Sequence, residues 1–149
     1  MEIIGTVRDI LQDKGQIVWT TTPQTTVFDA LKIMGGNNVG ALVVVQDNMV
    51  VGVFSERDYS RKVVLQGRTS RDTLVGDILS FPAFTVGLDT NITECMEVMT
   101  ANRVRHLPVV ENGALTGIVS IGDVVSWVIH AQSQAIAQLH GYISGGYPG

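Results

Sequence analysis

Gly52-Val53-Phe54-Ser55-Glu56-Arg57-Asp58 is an apolar run that closes on a serine and, three residues on, an aspartate. The chain writes the phrase again, 65 residues later, as Gly117-Ile118-Val119-Ser120-Ile121-Gly122-Asp123. The apolar half reads as the end of a strand. The serine stands where a helix N-cap belongs, and the aspartate falls on the first helical turn. Each copy therefore brings a hydroxyl, unpaired backbone N–H groups and a carboxylate to one helix start. Such a start attracts phosphate through its orphan donors and its dipole. The carboxylate is suited to accept hydrogen bonds from ribose hydroxyls, as the acidic residue of dinucleotide folds does. The same residues also spell a capping box, with Asp in place of Glu at the third helical position. Both readings are open.

Outward from the phrases, the two halves repeat each other. At the same offset Val39 meets Val104, Leu42 meets Leu107 and Val44 meets Val109. Segments 41–45 and 50–54 flank Asp47-Asn48, and segments 106–110 and 115–119 flank Asn112-Gly113, the residue types of a tight hairpin. Upstream, Val27, Ala30, Leu31 and Met34 have the spacing of a helix with one buried face. Thr25 or Thr26 is expected to cap it and Gly35-Gly36 to end it. Ile92, Cys95, Met96 and Met99 repeat that face in a segment beginning at Asp89-Thr90. Each helix is preceded by a short extended stretch, one ending in Thr20-Thr21-Thr22 and the other Phe84-Thr85-Val86. Before these lie two short helical turns, Val7-Arg8-Asp9-Ile10-Leu11 and Val75-Gly76-Asp77-Ile78-Leu79. The phrases open the closing helices, Glu56 to about Gln66, stopped by Gly67, and Ile121 towards Leu139. The expected organisation is a first repeat over 7–67, a linker over 68–74, a second repeat over 75–132, and a helix end with a flexible tail over 133–149. The fold class is α/β (α+β): two β-α-β-β-α units packed with pseudo-two-fold symmetry around a cleft. A unit of this size buries little core alone, and two can shield each other's sheets.

The composition is that of an ordinary globular chain, with 149 residues, 45% of them hydrophobic, and a formal charge of −4. No apolar run approaches the length of a membrane span, and the first residues lack the pattern of a secretory signal. Cys95 is the single cysteine, which excludes an internal disulfide and a cysteine-based zinc cluster. A cytoplasmic protein is the expectation, with no metal and no DNA. Half of the ten Lys and Arg nevertheless fall between Arg57 and Arg71.

Together with Arg103-Val104-Arg105-His106-Leu107-Pro108-Val109, the paired phrases resemble the cystathionine-β-synthase (CBS) domain family, over about Val7 to His130. The segment from Ser55 to Gly67 looks like the stand-alone CBS-pair proteins of bacteria and plant organelles. The resemblance implies a CBS pair, or Bateman module. Such a module is regulatory and non-catalytic, and it often dimerises. It binds an adenosine nucleotide (AMP first, also ADP, ATP or NAD(H)) between the repeats and signals energy or redox state to a partner. Carried over by residue, Asp58 and Asp123 would hold ribose hydroxyls, and Ser55 and Ser120 would face phosphate or ribose. Thr20, Thr21, Thr22, Thr85 and Val86, with Val39, Gly40, Ala41, Val104, Leu107 and Pro108, would wall the base.

The halves differ in charge. Gly40-Ala41 corresponds to Arg105-His106, and Arg57, Arg61 and Lys62 correspond to Gly122, Ser126 and Trp127. The two clefts are therefore not equivalent. Arg57, Arg61 and Lys62 could cover a phosphate chain, joined by Arg103, Arg105 and His106, since Arg grips phosphate bidentately. The bland alternative pairs Asp58 with Lys62 on a solvated helix face. Two other functions remain: an S-adenosylmethionine-binding pair, and a scaffold or nucleic-acid module using the basic segment 57–71. Against an enzyme stand the lack of a nucleophile–base pair, a metal cluster and a phosphate-binding glycine loop.

Overall fold

The structure, a computed structural model, describes residues 3–79 and 83–143, and side chains as far as His140. The expected tail from Ser144 onward lies outside these. The chain opens with helix α1, Val7–Lys14, capped by Asp9, whose carboxylate accepts from the Thr6 N–H at 2.9 Å. Strand β1 is only Thr20–Thr21. Helix α2, Val27–Asn37, is capped by Thr26, whose Oγ accepts from the Asp29 N–H, and it buries Val27, Ala30 and Met34 as their spacing predicts. It does not stop at Gly35-Gly36. It runs through both and ends where Asn38 turns left-handed (φ 53°) and donates its N–H to the Met34 carbonyl. Two glycines weaken a helix, but a residue in the left-handed region is what satisfies its last carbonyls.

Strands β2, Ala41–Gln46, and β3, Met49–Ser55, form the expected hairpin. Asp47 and Asn48 both sit at positive φ, as a two-residue turn of this hand requires. The closing helix of the first half departs from expectation. After one α-turn, α3 (Glu56–Asp58), residues Tyr59–Val64 widen into a π-helix, and Gly67 (φ 72°) ends it. The wider turn drops Val63 into the core, and Arg61 and Lys62 border the groove described below. Then come the short α4, Val75–Ile78, and α5, Ile92–Asn102. The cap of α5 is Asn91, which accepts from the Glu94 N–H at 2.7 Å, one residue past the expected start. Thr90 instead accepts from the Gly87 N–H. Strands β4, His106–Glu111, and β5, Ala114–Ser120, repeat the hairpin around Asn112-Gly113, and α6 runs from Ile121 to Ile143.

β1 joins β2 in parallel, pairing Thr21 with Val44. In the second half the same place holds a single bridge, Val86 to Val109. The reason is Pro108. It stands where Val43 donates its N–H to the Trp19 carbonyl at 3.0 Å, and proline has no N–H to give.

The two cores exchange their leading turns. Val7, Ile10 and Leu11 pack with Ile92, Cys95, Met99, Leu107 and Val119 of the second half. Val75 and Ile78 pack with Val27, Met34, Leu42, Phe54 and Val63 of the first. Matching backbone bonds hold the exchange: Val7 N–H to Thr90 O at 2.9 Å, and Val75 N–H to Thr25 O at 2.8 Å. The linker is folded as well. Thr73 is buried with its hydroxyl on the Thr69 carbonyl, and Arg71 stacks 4.0 Å from the Phe28 ring centre.

Candidate functional site

Both phrases form the capping box in full. Asp58 Oδ2 accepts from the Ser55 N–H and hydroxyl, each at 2.9 Å, and the Asp58 N–H returns to Ser55 Oγ at 3.2 Å. Asp123 Oδ2 accepts from the Ser120 N–H at 2.8 Å, and the Asp123 N–H donates to Ser120 Oγ at 3.1 Å. The N–H of Glu56 donates to Gly40 O, and that of Ile121 to Arg105 O. So the donors expected to lie open at the helix starts are largely taken. An anion approaching these starts would meet side chains rather than open backbone donors.

Those side chains converge at one end of the cleft. A cavity of about 550 Å³ opens beside Asp58. The first repeat contributes Arg57, Arg61 and Lys62, and the second contributes Arg103, Arg105 and His106. Asp58 Oδ1 lies 3.5 Å from Lys62 Nζ, so the surface pairing read from the sequence is present too. Lys62 also donates to the Ile78 carbonyl at 3.1 Å. Arg57, Arg61, Arg103 and Arg105 have no carboxylate within ion-pair distance among the described residues. Partial burial, then its neighbours Arg61, Arg105 and Arg103, pull the Arg57 guanidinium below its ordinary range, against the opposing field of Asp58. A smaller cavity of about 250 Å³ continues from the first and shares Arg57, Arg103, Val104 and Arg105 with it. Like charges held together without partners favour an anion between them.

His106 lies where the two phrases approach each other. Burial lowers its pKa, and so do Lys14 and Arg105, while Asp123 and Asp58 oppose them. The ring is therefore held towards its neutral form.

The expected site residues divide by groove. Ser55, Arg57, Asp58, Arg61, Lys62, Arg103, Arg105 and His106 all line the large cavity. Of the expected base walls, Gly40 and Val104 do so. Thr21, Ala41, Val86, Leu107 and Pro108 are buried, Thr20, Thr22 and Thr85 are exposed, and Val39 packs on the first core; none of these lines it. Alternation explains the leading strands, where Thr21 and Val86 occupy matched positions and both turn inward, whereas Ala41, Leu107 and Pro108 belong to runs of β2 and β4 buried residue after residue. The Thr21 hydroxyl is buried there without a hydrogen-bond partner among the described residues. Ser120 and Asp123 lie away from the cavity, and Asp123 is engaged by Lys14 at 2.7 Å. Sequence reasoning missed Lys14 and, inside the cavity, Phe84, Asn102 and Glu56. Phe84 could have been found. At the constant offset it matches Trp19, so each half carries an aromatic at the same place, 37% and 41% exposed.

Among the described residues no helix is long and apolar enough to cross a membrane, and no group of three or more His, Cys, Asp or Glu comes together to hold a metal ion.

A family model described as "CBS domain" matches residues 7–64 and 75–130. The chain is 43% identical, over 95% of its length and 73% of the relative's, to the CBS domain-containing protein CBSX3, mitochondrial, of Arabidopsis thaliana. Among solved structures, a protein with CBS domains from Burkholderia ambifaria MC40-6 is 44% identical, with a TM-score of 0.80 over 86% of this chain and 96% of that one. The CBS domain pair of protein MJ0100, solved in complex with 5′-methylthioadenosine and S-adenosyl-L-methionine, shares the fold at 22% identity and a TM-score of 0.74, over 87% and 98% of the two chains.

Proposed function

Since the chain belongs to the CBS-domain family, as a pair of CBS repeats, we propose that it is a non-catalytic regulatory module that binds an adenosine nucleotide in the Asp58 groove. One observation carries this reading. A carboxylate suited to ribose, an exposed aromatic ring and four arginines without acidic partners border one cavity of about 550 Å³. Pockets of that size take small ligands and cofactors. Phe84 offers a face for a purine. Arg57 and Arg61 on one side, with Arg103 and Arg105 on the other, suit its phosphate. AMP is the simplest such ligand, and ADP, ATP and NAD(H) extend it on the phosphate side. S-adenosylmethionine fits less well, because it brings a positive sulfonium to a positive wall.

A ligand held by both repeats would favour one angle between them, and a partner protein would read that angle. We place the module in the cytoplasm and expect a homodimer. Along α6, Val125, Ile129, Ile136 and Leu139 are each about half exposed and recur at spacings that fall on one helix face. A second copy of the chain is the partner this self-similar stripe suits. The nucleic-acid alternative loses ground because the basic segment is divided. Arg57, Arg61 and Lys62 border the cavity, while Arg71 is stacked on Phe28.

Thermal-shift screening against AMP, ADP, ATP, NAD⁺, NADH and S-adenosylmethionine tests the reading. A ligand that binds the folded state alone raises Tm by mass action. We expect AMP or a longer adenosine phosphate to do so, and S-adenosylmethionine to do so least. No shift with any of them would remove the proposal.

A further inference from the structure

The duplicated phrase sets a carboxylate at two matched helix starts, and the chain treats the two differently. In the first groove Val53 and Asp58 border the open cavity. Their counterparts in the second are Ile118 and Asp123, at the constant offset. There, Lys14 Nζ donates to Asp123 Oδ2 at 2.7 Å and to the Ile118 carbonyl at 3.0 Å. Lys14 is the last residue of α1, and α1 is anchored in the second core by Val7, Ile10 and Leu11. The ammonium is thus delivered to the acid by a rigid element. At 2.7 Å the pair is closer than Lys62 and Asp58 at 3.5 Å, with comparable side-chain exposures of 32% and 21% against 37% and 27%.

Among the described residues no lysine from another element reaches the acid of the first groove. Its lysine, Lys62, comes from the groove's own helical segment, lies 3.5 Å from Asp58, and forms part of the cavity wall. The residue matching Lys62 in the second repeat is Trp127, whose indole N–H is bonded to the Ile4 carbonyl. The second acid therefore receives its cation from α1.

We propose that Lys14 is a built-in occupant of the Asp123 groove, so that each chain takes one nucleoside, beside Asp58, and that removing Lys14 opens a second site. The inference rests on the nucleotide reading of the Asp58 groove and adds to it the residue that sets stoichiometry. The second groove has Gly122 and Ser126 where the first has Arg57 and Arg61. An opened Asp123 groove would therefore take the nucleoside part with little help for phosphate.

Equilibrium dialysis with radiolabelled adenosine tests this, because adenosine brings the ribose that either acid could hold and no phosphate, so it does not depend on the arginines found only beside Asp58. The wild-type chain should bind one equivalent. Lys14→Ala should bind two, and so should Lys14→Met, which keeps the aliphatic stem. Adding Asp123→Asn to Lys14→Ala should return the count to one. Two equivalents on the wild type, one on both Lys14 variants with melting curves of folded protein, or loss of binding in those variants would each overturn the inference. AMP is measured alongside. If AMP binds the wild type while adenosine binds none of the proteins, the nucleotide reading stands and the inference falls. If neither ligand binds any of them, both fall.

Discussion

Leu11 and Gly117 meet so closely that a Cβ on the glycine would lie 2.9 Å from Leu11 Cδ1. The opposite pair repeats the contact: a Cβ on Gly52 would lie 3.0 Å from Leu79 Cδ2. Each phrase thus opens on glycine because the leading turn of the other repeat lies against it. Gly117→Ala should cost about 1–3 kcal/mol by overpacking, read as a lower urea midpoint with an unchanged slope. Leu11→Ala alone should cost about 2–5 kcal/mol by leaving a cavity. The double variant should be more stable than the sum of the two predicts. Strict additivity would show that the contact does not limit the packing.

Ser55 and Asp58 share the capping box and both border the cavity, and ligand binding should depend on Asp58 and not on the Ser55 hydroxyl, which is engaged in the cap. Ser55→Ala should lower stability by about 1 kcal/mol and leave AMP affinity within a few-fold. Asp58→Ala should lower stability similarly and weaken AMP binding by tenfold or more. Denaturant melts and isothermal titration on the same preparations separate the effects. Equal losses of affinity in both variants would reduce Asp58 to its cap.

His106 makes the apoprotein sensitive to mild acid. Its pKa is lowered from 6.5, first by burial and then by Lys14 and Arg105, against Asp123 and Asp58. The unfolded chain therefore binds this proton more readily than the folded one. The stability tied to the neutral ring is fully present above pH 6.5 and is lost as pH falls through the folded value. Tm of the wild type should drop between pH 7.5 and 5.5 by more than that of His106→Gln. Parallel curves would remove His106 as the cause.

Ile129, 57% exposed at the middle of the α6 stripe, tests the dimer. Ile129→Asp should shift the sedimentation of the protein from dimer towards monomer, because a charge placed in an apolar seam is left without a partner. Adenosine binding by the monomer should persist, since the Asp58 groove draws on one chain. An unchanged sedimentation coefficient would place the partner surface elsewhere.

What the residues determined by themselves was local or periodic. The repeat at constant offset, the hairpins at Asp47-Asn48 and Asn112-Gly113, the buried faces of α2 and α5, and the caps at Ser55 and Ser120 all depend on near neighbours, and each is present. The cations predicted for phosphate also lie together, because the pseudo-symmetry that juxtaposes the repeats was itself legible. Other features depended on contacts that no local pattern encodes. The glycine pair did not end α2, because the left-handed residue beyond it decides where the carbonyls are satisfied. The widening after Asp58, the strand residues that turn into the cores, and the exchange of leading turns all arise from packing between distant segments. So does the difference between the grooves. Asp58 and Asp123 look alike in sequence, and only tertiary structure brings Lys14, 109 residues away, onto one of them.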